Sequence, residues 1–283
     1  MATSRRRIAV IWVVVLANCA LVAPGAWPSQ PDRHVNQAGR VHRPPVNAKV
    51  DYQLGGAYPP AIGVTAVTRD RHAHPVAGAY SICYVNAFQT QPGALPWWRH
   101  HHPRLLLRTG SGQFVHDPGW PGEVLLDTSS AAKRSRLAKV IGVWMAGCAQ
   151  RGFKAVEPDN LDSFTRSRGL LTRDGALKLS TRLAQHAHNA GLAIAQKNLA
   201  GLRRQRAESV GFDFAVAEDC QRYHECAHYL RAYGRHVIEI EYADNGLASF
   251  KHACSARGAR ISIVYRDRLL RPRGQPGYHY RAC

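Results

Sequence analysis

The chain has few acidic residues. It contains 19 Asp and Glu against 38 Lys and Arg, which gives a formal net charge of +19 at pH 7. Such a charge suggests an anionic partner such as a cell-wall polymer, a nucleic acid or lipid head groups. However, the sequence has no long run of Lys and Arg and no basic helix interleaved with aromatic residues. We therefore predict no nucleic-acid partner.

Several motifs of nucleotide, ester and metal chemistry are also missing. The sequence has no phosphate-binding loop, Rossmann glycine fingerprint, Gly-x-Ser-x-Gly elbow or His-Glu-x-x-His motif. It has no Cys-x-x-Cys pair, which disfavours a structural zinc site. The run His100-His101-His102 is better explained as a solvated polar tip than as a metal site. We predict neither a cofactor nor a metal.

The first 26 residues predict an export signal. Arg5-Arg6-Arg7 form a basic start, Ile8 to Val22 an apolar core, and Ala23 to Ala26 a small-residue end. The apolar run is too short to indicate a stable membrane span. The mature protein is therefore expected to be secreted.

The remaining sequence predicts one domain. Residues 27–48 have little periodicity and are predicted to form a disordered linker. From 49 to 283 the composition is uniform, and this length can bury one large core. We expect a monomer.

Six cysteines remain beyond the predicted signal, which contains Cys19. An even number in an exported chain predicts disulfides. The six are Cys83, Cys148, Cys220, Cys226, Cys254 and Cys283. Cys220 and Cys226 are close enough in sequence for a local loop, but sequence alone leaves the pairing open.

Apolar runs alternate with helical patterns from about residue 50 onward. Eight short, near-continuous apolar runs predict parallel strands buried on both faces: 51–54, 63–68, 80–86, 153–157, 192–197, 212–217, 236–241 and 261–265. Helices are predicted after the capping segment Asp127–Ser130, from a cap at Asp174 to Gly191, and from Leu247 to Gly258. The fold class predicted is α/β, a (β/α)8 TIM barrel. The first three units lack clear helices and residues 87–122 are irregular, so a doubly wound sheet is the alternative.

An acidic cluster follows the fourth predicted strand. Side chains alternate along a strand, so Ala155, Glu157 and Asp159 should point the same way. Pro158 cannot donate to a ladder, so pairing is expected to end there and to release the acids into a loop. Desolvating carboxylates is costly, which favours a role in proton transfer or nucleophilic attack. The alternative is a helix N-cap by Asp159 or Asn160 with solvated acids.

Polar residues recur at the other predicted strand ends, where barrel enzymes place their active sites. We predict that ten of them bind substrate: Gln53, Asp70, Asn86, Glu157, Asn160, Lys197, Asn198, Glu241, Tyr242 and Asp267. Two carboxylates facing one cleft are what glycoside hydrolysis requires. Trp97 and Trp98, in the irregular segment, are predicted to form an exposed platform for sugar rings.

Four strand-end segments together resemble glycoside hydrolase family 114 over residues 50–283. They are Glu157-Pro-Asp-Asn-Leu-Asp162, Ala217-Glu-Asp-Cys-Gln-Arg-Tyr-His-Glu-Cys226, Ile240-Glu-Tyr242 and Tyr265-Arg-Asp267. The resemblance implies a (β/α)8 barrel and endo-α-1,4-polygalactosaminidase activity on a galactosamine-containing polysaccharide. By position it makes Asp159 and Glu218 the catalytic carboxylates. We assign Asp159 as nucleophile and Glu218 as general acid/base.

The resemblance also favours a disulfide between Cys220 and Cys226, which would bracket the loop after Glu218. Cys254–Cys283 is the next bond expected, and it would staple the last helix to the chain end. Cys83–Cys148 is then the remaining pair.

Two departures from the family pattern concern the substrate. The segment Tyr84–Gln89 lacks the Gly and Glu residues that are usual at the third strand. Arg69 and Arg71 flank Asp70, and two extra cations near the mouth are expected to disfavour cationic galactosamine.

A second function is compatible with the same residues: a non-catalytic secreted barrel that binds an anionic cell-surface polysaccharide. This hypothesis requires that arginines near the mouth pair with Asp159 and Glu218. The candidates are Arg69, Arg71, Arg266 and Arg268.

Overall fold

A computed structural model of the chain describes residues 41–283. Its nine strands form one sheet in sequential order, and neighbouring strands are parallel except for the last pair. The strands are β1 Val50–Gln53, β2 Ala66–Asp70, β3 Tyr80–Asn86, β4 Ala155–Asp159, β5 Ala193–Lys197, β6 Phe214–Glu218, β7 Val237–Tyr242, β8 Ser262–Arg266 and β9 Tyr280–Ala282. All eight predicted strands are confirmed, with ends that differ by a few residues.

Six α-helices cover the outside of this sheet. They are α1 Leu95–His101, α2 Ala131–Gln150, α3 Arg173–Asn189, α4 Arg204–Val210, α5 Cys226–Tyr233 and α6 Leu247–Arg257. Within residues 41–283, no helix connects β1 to β2 or β2 to β3. The (β/α)8 barrel is therefore confirmed, but in the described residues no helix follows β1, β2 or β8: loops follow the first two, and β9 follows β8.

The barrel closes through contacts between its first and last strands. β9 runs antiparallel beside β8, and both β8 and β9 contact β1. The Ala48 amide donates to Ser262 Oγ at 3.0 Å, and Arg266 Nη1 donates to Asp51 Oδ1 at 3.0 Å. β9 has only three residues, which is too short to give a periodic signal, and the sequence analysis did not predict it.

Alternation along the strands divides the side chains between two environments. Val50, Tyr52, Ala155 and Ile240 belong to the apolar cluster inside the barrel. The residues between them in sequence face the helices, as the packing of Ala217, Val237, Ile263 and Tyr265 with α5 and α6 residues shows. This parity decides which strand-end side chains reach the mouth of the barrel.

Helix starts were predicted with mixed success. Ser130 caps α2 by accepting a hydrogen bond from the Lys133 amide at 3.2 Å, as the segment 127–130 predicted. The cap of α3 is Thr172, whose hydroxyl accepts from the Gly175 amide at 3.1 Å. The prediction of Asp174 as that cap was wrong, because the cap lies two residues earlier and Asp174 is inside the first turn. A carboxylate there still favours the helix dipole.

All three predicted disulfides are confirmed. Cys83 on β3 bonds Cys148 at the end of α2, with Cα atoms 6.2 Å apart. Cys220 bonds Cys226 between β6 and α5, at 4.9 Å. Cys254 on α6 bonds Cys283, at 5.6 Å. These bonds join the sheet to the helical layer at one place and fix two loops at others.

The predicted export signal and residues 27–40 of the predicted linker lie outside the described residues. Residues 41–48 lie against the barrel, where Tyr80 Oη donates to the His42 carbonyl and His236 Nδ1 lies 3.2 Å from the Pro44 carbonyl. Among residues 41–283, none of the helices has both the length and the apolar character that crossing a membrane would need.

Candidate active site

A cavity of about 540 Å³ opens at the carboxyl ends of the strands. This volume is typical of small-molecule sites. Six acids and three cations line it: Asp70, Asp117, Glu123, Asp159, Asp162 and Glu218, with Arg166, Lys197 and Arg268. We call it the acidic cavity. It is notable because the chain as a whole carries a formal charge of +19.

Lys197 lies at the base of the acidic cavity and contacts three carboxylates. Its Nζ is 3.2 Å from Glu157 Oε1, 3.0 Å from Asp159 Oδ1 and 3.4 Å from Glu218 Oε2. Burial alone would lower the pKa of Lys197, but the surrounding acids outweigh it and hold that pKa well above its usual value. Lys197 is therefore a permanent buried cation that orients the acids around it.

Asp159 is held by three donors. Lys197 and the Asn160 amide donate to Oδ1, the latter at 2.7 Å, and Tyr84 Oη donates to Oδ2 at 2.8 Å. Burial acts to raise the pKa of Asp159, but the charge of Lys197 and these hydrogen bonds lower it below its ordinary value. Asp159 is consequently ionised at neutral pH with its carboxylate fixed in one orientation.

The expectation that Pro158 releases Asp159 into a loop was half right. The ladder between β4 and β5 contains only Ala155 and Val156 of β4, so it does end before Pro158. Pairing with β3 continues, with Pro158 opposite Val85 and Asp159 opposite Asn86. Alternate residues of a parallel strand bond to opposite neighbours. Since the Asp159 carbonyl bonds toward β3, the missing N–H of Pro158 falls on the β5 side, where no ladder remains.

Glu218 ends β6 and is fixed by residues of the two neighbouring strands. Asn198 Nδ2 donates to its Oε2 at 2.9 Å, and Tyr242 Oη donates to its Oε1. The Glu218 amide in turn donates to Asn198 Oδ1 at 2.9 Å. Asp159 and Glu218 therefore face the same ammonium group from two strands that are not adjacent.

Left-handed residues follow three consecutive strands. Asn160, Asn198 and Asp219 have φ angles of 66°, 52° and 53° and come directly after β4, β5 and β6. Asn and Asp tolerate this conformation better than other side chains. The resulting turns let the Asn160 amide reach Asp159 and the Asn198 side chain reach Glu218. At each of these strand ends a charged residue of the site is thus followed by a left-handed Asn or Asp.

Glu157 lies below the acidic cavity rather than in its lining. Its side chain is fully buried, and Oε1 accepts from Tyr52 Oη and contacts Lys197. Its Oε2 has no hydrogen-bond partner among the described residues. Burial raises the pKa of Glu157 to about 7, with Lys197 opposing the rise and Asp159 adding to it. Glu157 was predicted to bind substrate, but the structure buries it outside the cavity lining, where it contacts Lys197.

Of the other predicted substrate-binding residues, five line the acidic cavity: Asp70, Asn160, Lys197, Asn198 and Tyr242. Asn86 lies beside it and donates to Glu123 Oε2 at 2.9 Å.

Gln53, Glu241 and Asp267 do not reach the acidic cavity. Gln53 is one residue out of phase with the inward Tyr52 and bonds to Asp51. Glu241 alternates with the inward Tyr242, so it faces the helical layer and accepts from the Gln221 amide at 2.9 Å. Asp267 follows β8 and accepts from the Arg271 amide at 3.0 Å. Strand parity corrects the first two assignments, and a local turn corrects the third.

Three charged residues of the cavity were missed because they lie in segments without periodicity: Asp117, Glu123 and Arg166. Burial raises the pKa of Glu123 to about 7, while its hydrogen bond from Asn86 opposes the rise. Arg166 Nε lies 2.6 Å from Asp117 Oδ2. The Pro- and Gly-rich run around Trp120 was a turn signal that could have located part of this set.

The predicted sugar platform of Trp97 and Trp98 is not in the acidic cavity. Trp98 is only 1% exposed and belongs to the core between sheet and helices. Trp97 lines a second, neighbouring cavity. The exposed aromatic residue of the acidic cavity is Trp120, which is 46% exposed.

Of the four arginines expected near the mouth, only Arg268 lines the acidic cavity, and none pairs with the two predicted catalytic acids. Arg69 donates to Gln53 and to backbone carbonyls, and Arg71 lines the second cavity. Arg266 is buried against Asp51, and Arg268 pairs with Asp219 at 3.0 Å. Within residues 41–283 none of them forms an ion pair with Asp159 or Glu218. The expected exclusion of a cationic sugar by Arg69 and Arg71 is therefore not supported.

Comparison with known proteins agrees with this geometry. A structure of Ega3 from Aspergillus fumigatus in complex with galactosamine superposes with a TM-score of 0.67 at 23% identity, covering 86% of this chain and 97% of that one. The glycoside hydrolase domain of PelA from Pseudomonas aeruginosa gives a TM-score of 0.56 at 16% identity, covering 80% and 97%. These two likenesses show a shared fold.

A search of curated proteins gave no match. The sequence profile described as glycoside-hydrolase family GH114 matches residues 31–283, which is most of the chain. With its barrel and its paired strand-end carboxylates, the chain belongs to glycoside-hydrolase family GH114.

Proposed function

We propose that the protein is a secreted, endo-acting glycoside hydrolase that cleaves α-1,4-linked galactosamine-containing polysaccharide with two carboxylates. The observation that carries the proposal is the pair Asp159 and Glu218, which meet at Lys197 in the acidic cavity. Family membership supports the reaction class. The galactosamine bound to Ega3 supports the sugar.

Asp159 is suited to be the nucleophile. Its lowered pKa keeps it ionised, and Lys197 and Tyr84 hold its oxygens in place. In the proposed first step, an Asp159 oxygen attacks the anomeric carbon and a covalent glycosyl-enzyme forms. The bond from that carbon to the leaving oxygen breaks in the same step.

Glu218 is suited to be the general acid and base. Its side chain retains access to the cavity, and Asn198 and Tyr242 limit its orientation. In the proposal it donates a proton to the leaving oxygen, and then removes a proton from the water that releases the sugar from Asp159.

The spacing of the two acids favours retention of configuration. Asp159 Oδ1 lies 3.0 Å and Glu218 Oε2 lies 3.4 Å from Lys197 Nζ. The distance between these two oxygens therefore cannot exceed the sum of the two values. That limit concerns one oxygen of each carboxylate and lies just below the separation of roughly 6.5 Å at which inverting pairs begin.

The charge of the acidic cavity favours an amino sugar. A protonated 2-amino group is a cation, and the lining supplies twice as many acids as cations. Opposite charges attract more strongly in a partly desolvated cleft than in bulk water. Trp120 offers an exposed ring on which the apolar face of a sugar can stack.

Mass spectrometry of the products tests the proposal directly. Wild-type protein incubated with partly deacetylated α-1,4-galactosamine polymer should release oligosaccharides of several lengths early in the reaction. Asp159→Asn and Glu218→Gln should release none on the same time scale while melting like the wild type. A wild-type protein that releases no oligosaccharide contradicts the proposal, and release of monosaccharide alone contradicts the endo mode.

Secretion is part of the proposal and rests on separate observations. The first 26 residues have the pattern of an export signal, and the three disulfides suit an oxidising compartment. N-terminal sequencing of the protein recovered from culture medium should begin near residue 27. Recovery of the full-length chain only inside cells would contradict it.

A further inference from the structure

A second cavity of about 560 Å³ adjoins the acidic cavity. The two share Gln91 and Pro92 as lining residues. The rest of its lining is Arg71, His72, Asn86, Gly93, Ala94, Trp97, Trp98 and Trp144. We call it the aromatic cavity. It lies between the loop after β2, the start of α1 and the middle of α2.

The two cavities have opposite charge. No carboxylate lines the aromatic cavity in the described part of the chain, and its ionisable residues are Arg71 and His72. The Arg71 guanidinium lies over the Trp144 ring, 4.3 Å from its centroid, which is within cation–π distance. A protonated amino sugar would be repelled by the aromatic cavity and attracted by the acidic cavity.

Three tryptophans make this wall rigid. Trp97 and Trp98 pack edge to face at 5.2 Å, and Trp98 and Trp144 do so at 5.6 Å. Trp97 nevertheless remains 38% exposed. Rigid aromatic rings with partial exposure bind apolar faces of sugars and methyl groups at little cost in side-chain entropy.

A hydrogen-bonded pair divides the two cavities. Gln91 Nε2 donates to Asp70 Oδ2 at 2.6 Å, and Asp70 Oδ1 also lies 2.7 Å from His72 Nδ1. Asp70 lines the acidic cavity while Gln91 lines both. The negative charge therefore stops at this pair, and one polymer could pass over Gln91 from one cavity into the other.

We propose that the aromatic cavity binds an N-acetylated, uncharged hexosamine residue of the same polysaccharide whose amino-bearing residues occupy the acidic cavity. This inference rests on the proposed function. Acetylation removes the positive charge that Arg71 would repel, adds a methyl group that can contact Trp97, and adds a carbonyl that can accept from Arg71. The structure thus matches both the charged and the neutral residues of a partly acetylated chain.

The proposal predicts that acetylation selects the cleavage point. If one acetylated residue sits in the aromatic cavity, the bond that meets Asp159 lies a fixed number of sugars away. Products of a partly acetylated polymer should then carry an acetyl group enriched at one position relative to the new end. Tandem mass spectrometry of the products reads this position.

The sharpest test reverses the charge of the aromatic cavity. Initial rates are measured on two polymers of equal length, one fully deacetylated and one about one-third N-acetylated. Arg71→Glu should lower the ratio of kcat/KM values (acetylated over deacetylated) by about two- to tenfold, and Arg71→Gln should lower it less. The hydrogen bonds to Tyr84 and Arg151 use the backbone of Arg71, so the substitutions preserve them.

Two further variants complete the test. Trp97→Ala should lower the same ratio by about two- to tenfold, and the ratio is insensitive to partial unfolding because the folded fraction cancels. Tyr223→Ala is the matched control, since Tyr223 is exposed and lines neither cavity.

The outcomes separate this inference from the proposed function. If the wild type cleaves neither polymer, the proposed function fails. If it cleaves both polymers while Arg71→Glu and Trp97→Ala leave the ratio unchanged and acetyl groups are random in the products, the aromatic cavity is not an acetyl-sugar site. A lowered ratio together with a fixed acetyl position supports the inference.

Discussion

Two parts of the barrel line the acidic cavity and hold their side chains in different ways. Asp159, Lys197, Glu218 and Tyr242 are the last residues of β4, β5, β6 and β7. Gln91, Asp117, Trp120 and Glu123 come instead from the long segment between β3 and α2, which contains α1 and a few isolated bridges. The first set is fixed by parallel ladders and the second by loop contacts such as the Asp117–Arg166 ion pair.

This difference separates chemistry from recognition. Strand ends can hold reacting groups to within a fraction of an ångström of the productive geometry, because backbone ladders tie each strand to its neighbours. Loops can change composition without altering the barrel. We therefore expect substitutions at the strand ends to lower kcat, and substitutions in the β3–α2 segment to raise KM.

The largest effect is expected at the two carboxylates. Asp159→Ala and Glu218→Ala should each lower kcat at least about a thousandfold, because each removes an essential group. Added azide distinguishes their roles on an activated α-galactosaminide. It should give a glycosyl azide of inverted configuration with Asp159→Ala and of retained configuration with Glu218→Ala. The opposite configurations would exchange the two assignments.

Much of the strand-end set follows from sequence, and the reason is physical. A short apolar run followed at once by Glu or Asp is costly unless the acid is used, which makes Asp159 and Glu218 candidates among the strand-end acids. The resemblance to family 114 then selected these two as the catalytic pair. Which of two adjacent side chains faces the barrel interior depends on the position of the strand relative to the barrel axis, and the sequence does not show that position. Glu241 and Tyr242 looked equally well placed until the register assigned one to the helical layer and the other to the cavity. Glu123 has no strand to mark it, and its approach to Asn86 depends on how the loop folds.

The next effect is expected at Lys197. Lys197→Met removes the charge that lowers the pKa of Asp159, so that pKa should rise and the acidic limb of the pH–rate profile should move to higher pH. Activity near pH 6 should fall about a hundredfold. The substitution should also lower stability. A carboxyl group whose pKa is lowered by folding stabilises the folded state at pH values above its unfolded-state pKa, and the variant loses this contribution.

Lys154→Met is the matched control, since Lys154 is exposed at the opposite end of β4. An unshifted acidic limb in Lys197→Met would show that Lys197 does not set the ionisation of Asp159.

A smaller effect is expected in the β3–α2 segment. Glu123→Gln should raise KM for deacetylated polymer about tenfold and leave kcat within about twofold, because it removes a charge that attracts the amino sugar. The pKa of Glu123 is about 7. The wild-type KM should thus fall as pH rises from about 6 to about 7.5, whereas the variant KM should stay flat.

Glu208→Gln, on the exposed face of α4, controls for a change in total charge. A loss confined to kcat in Glu123→Gln would place this residue with the strand-end set and break the comparison.

The smallest effect on activity is expected from the disulfides, and the two loops should differ. Replacing Cys254 and Cys283 together by Ser should lower the free energy of unfolding by about 2–5 kcal/mol and leave kcat/KM unchanged. Replacing Cys220 and Cys226 by Ser should lower kcat a few-fold, since their loop follows Glu218 directly. Thermal melting and initial rates measure both. Equal losses of activity in the two double variants would contradict this division.

The closure of the barrel also has a consequence for how the chain folds. The ion pair between Arg266 and Asp51 joins residues 215 positions apart, and β9 beside them lies still later in the sequence. Contacts of such long separation form slowly. As the ribosome produces the chain, β1 therefore waits with an unpaired edge until almost all of the barrel has been synthesised, and such edges can recruit strands of other molecules. Export before folding would keep that interval out of the crowded cytoplasm, and closure would coincide with the arrival of oxidising conditions that seal Cys283 to α6.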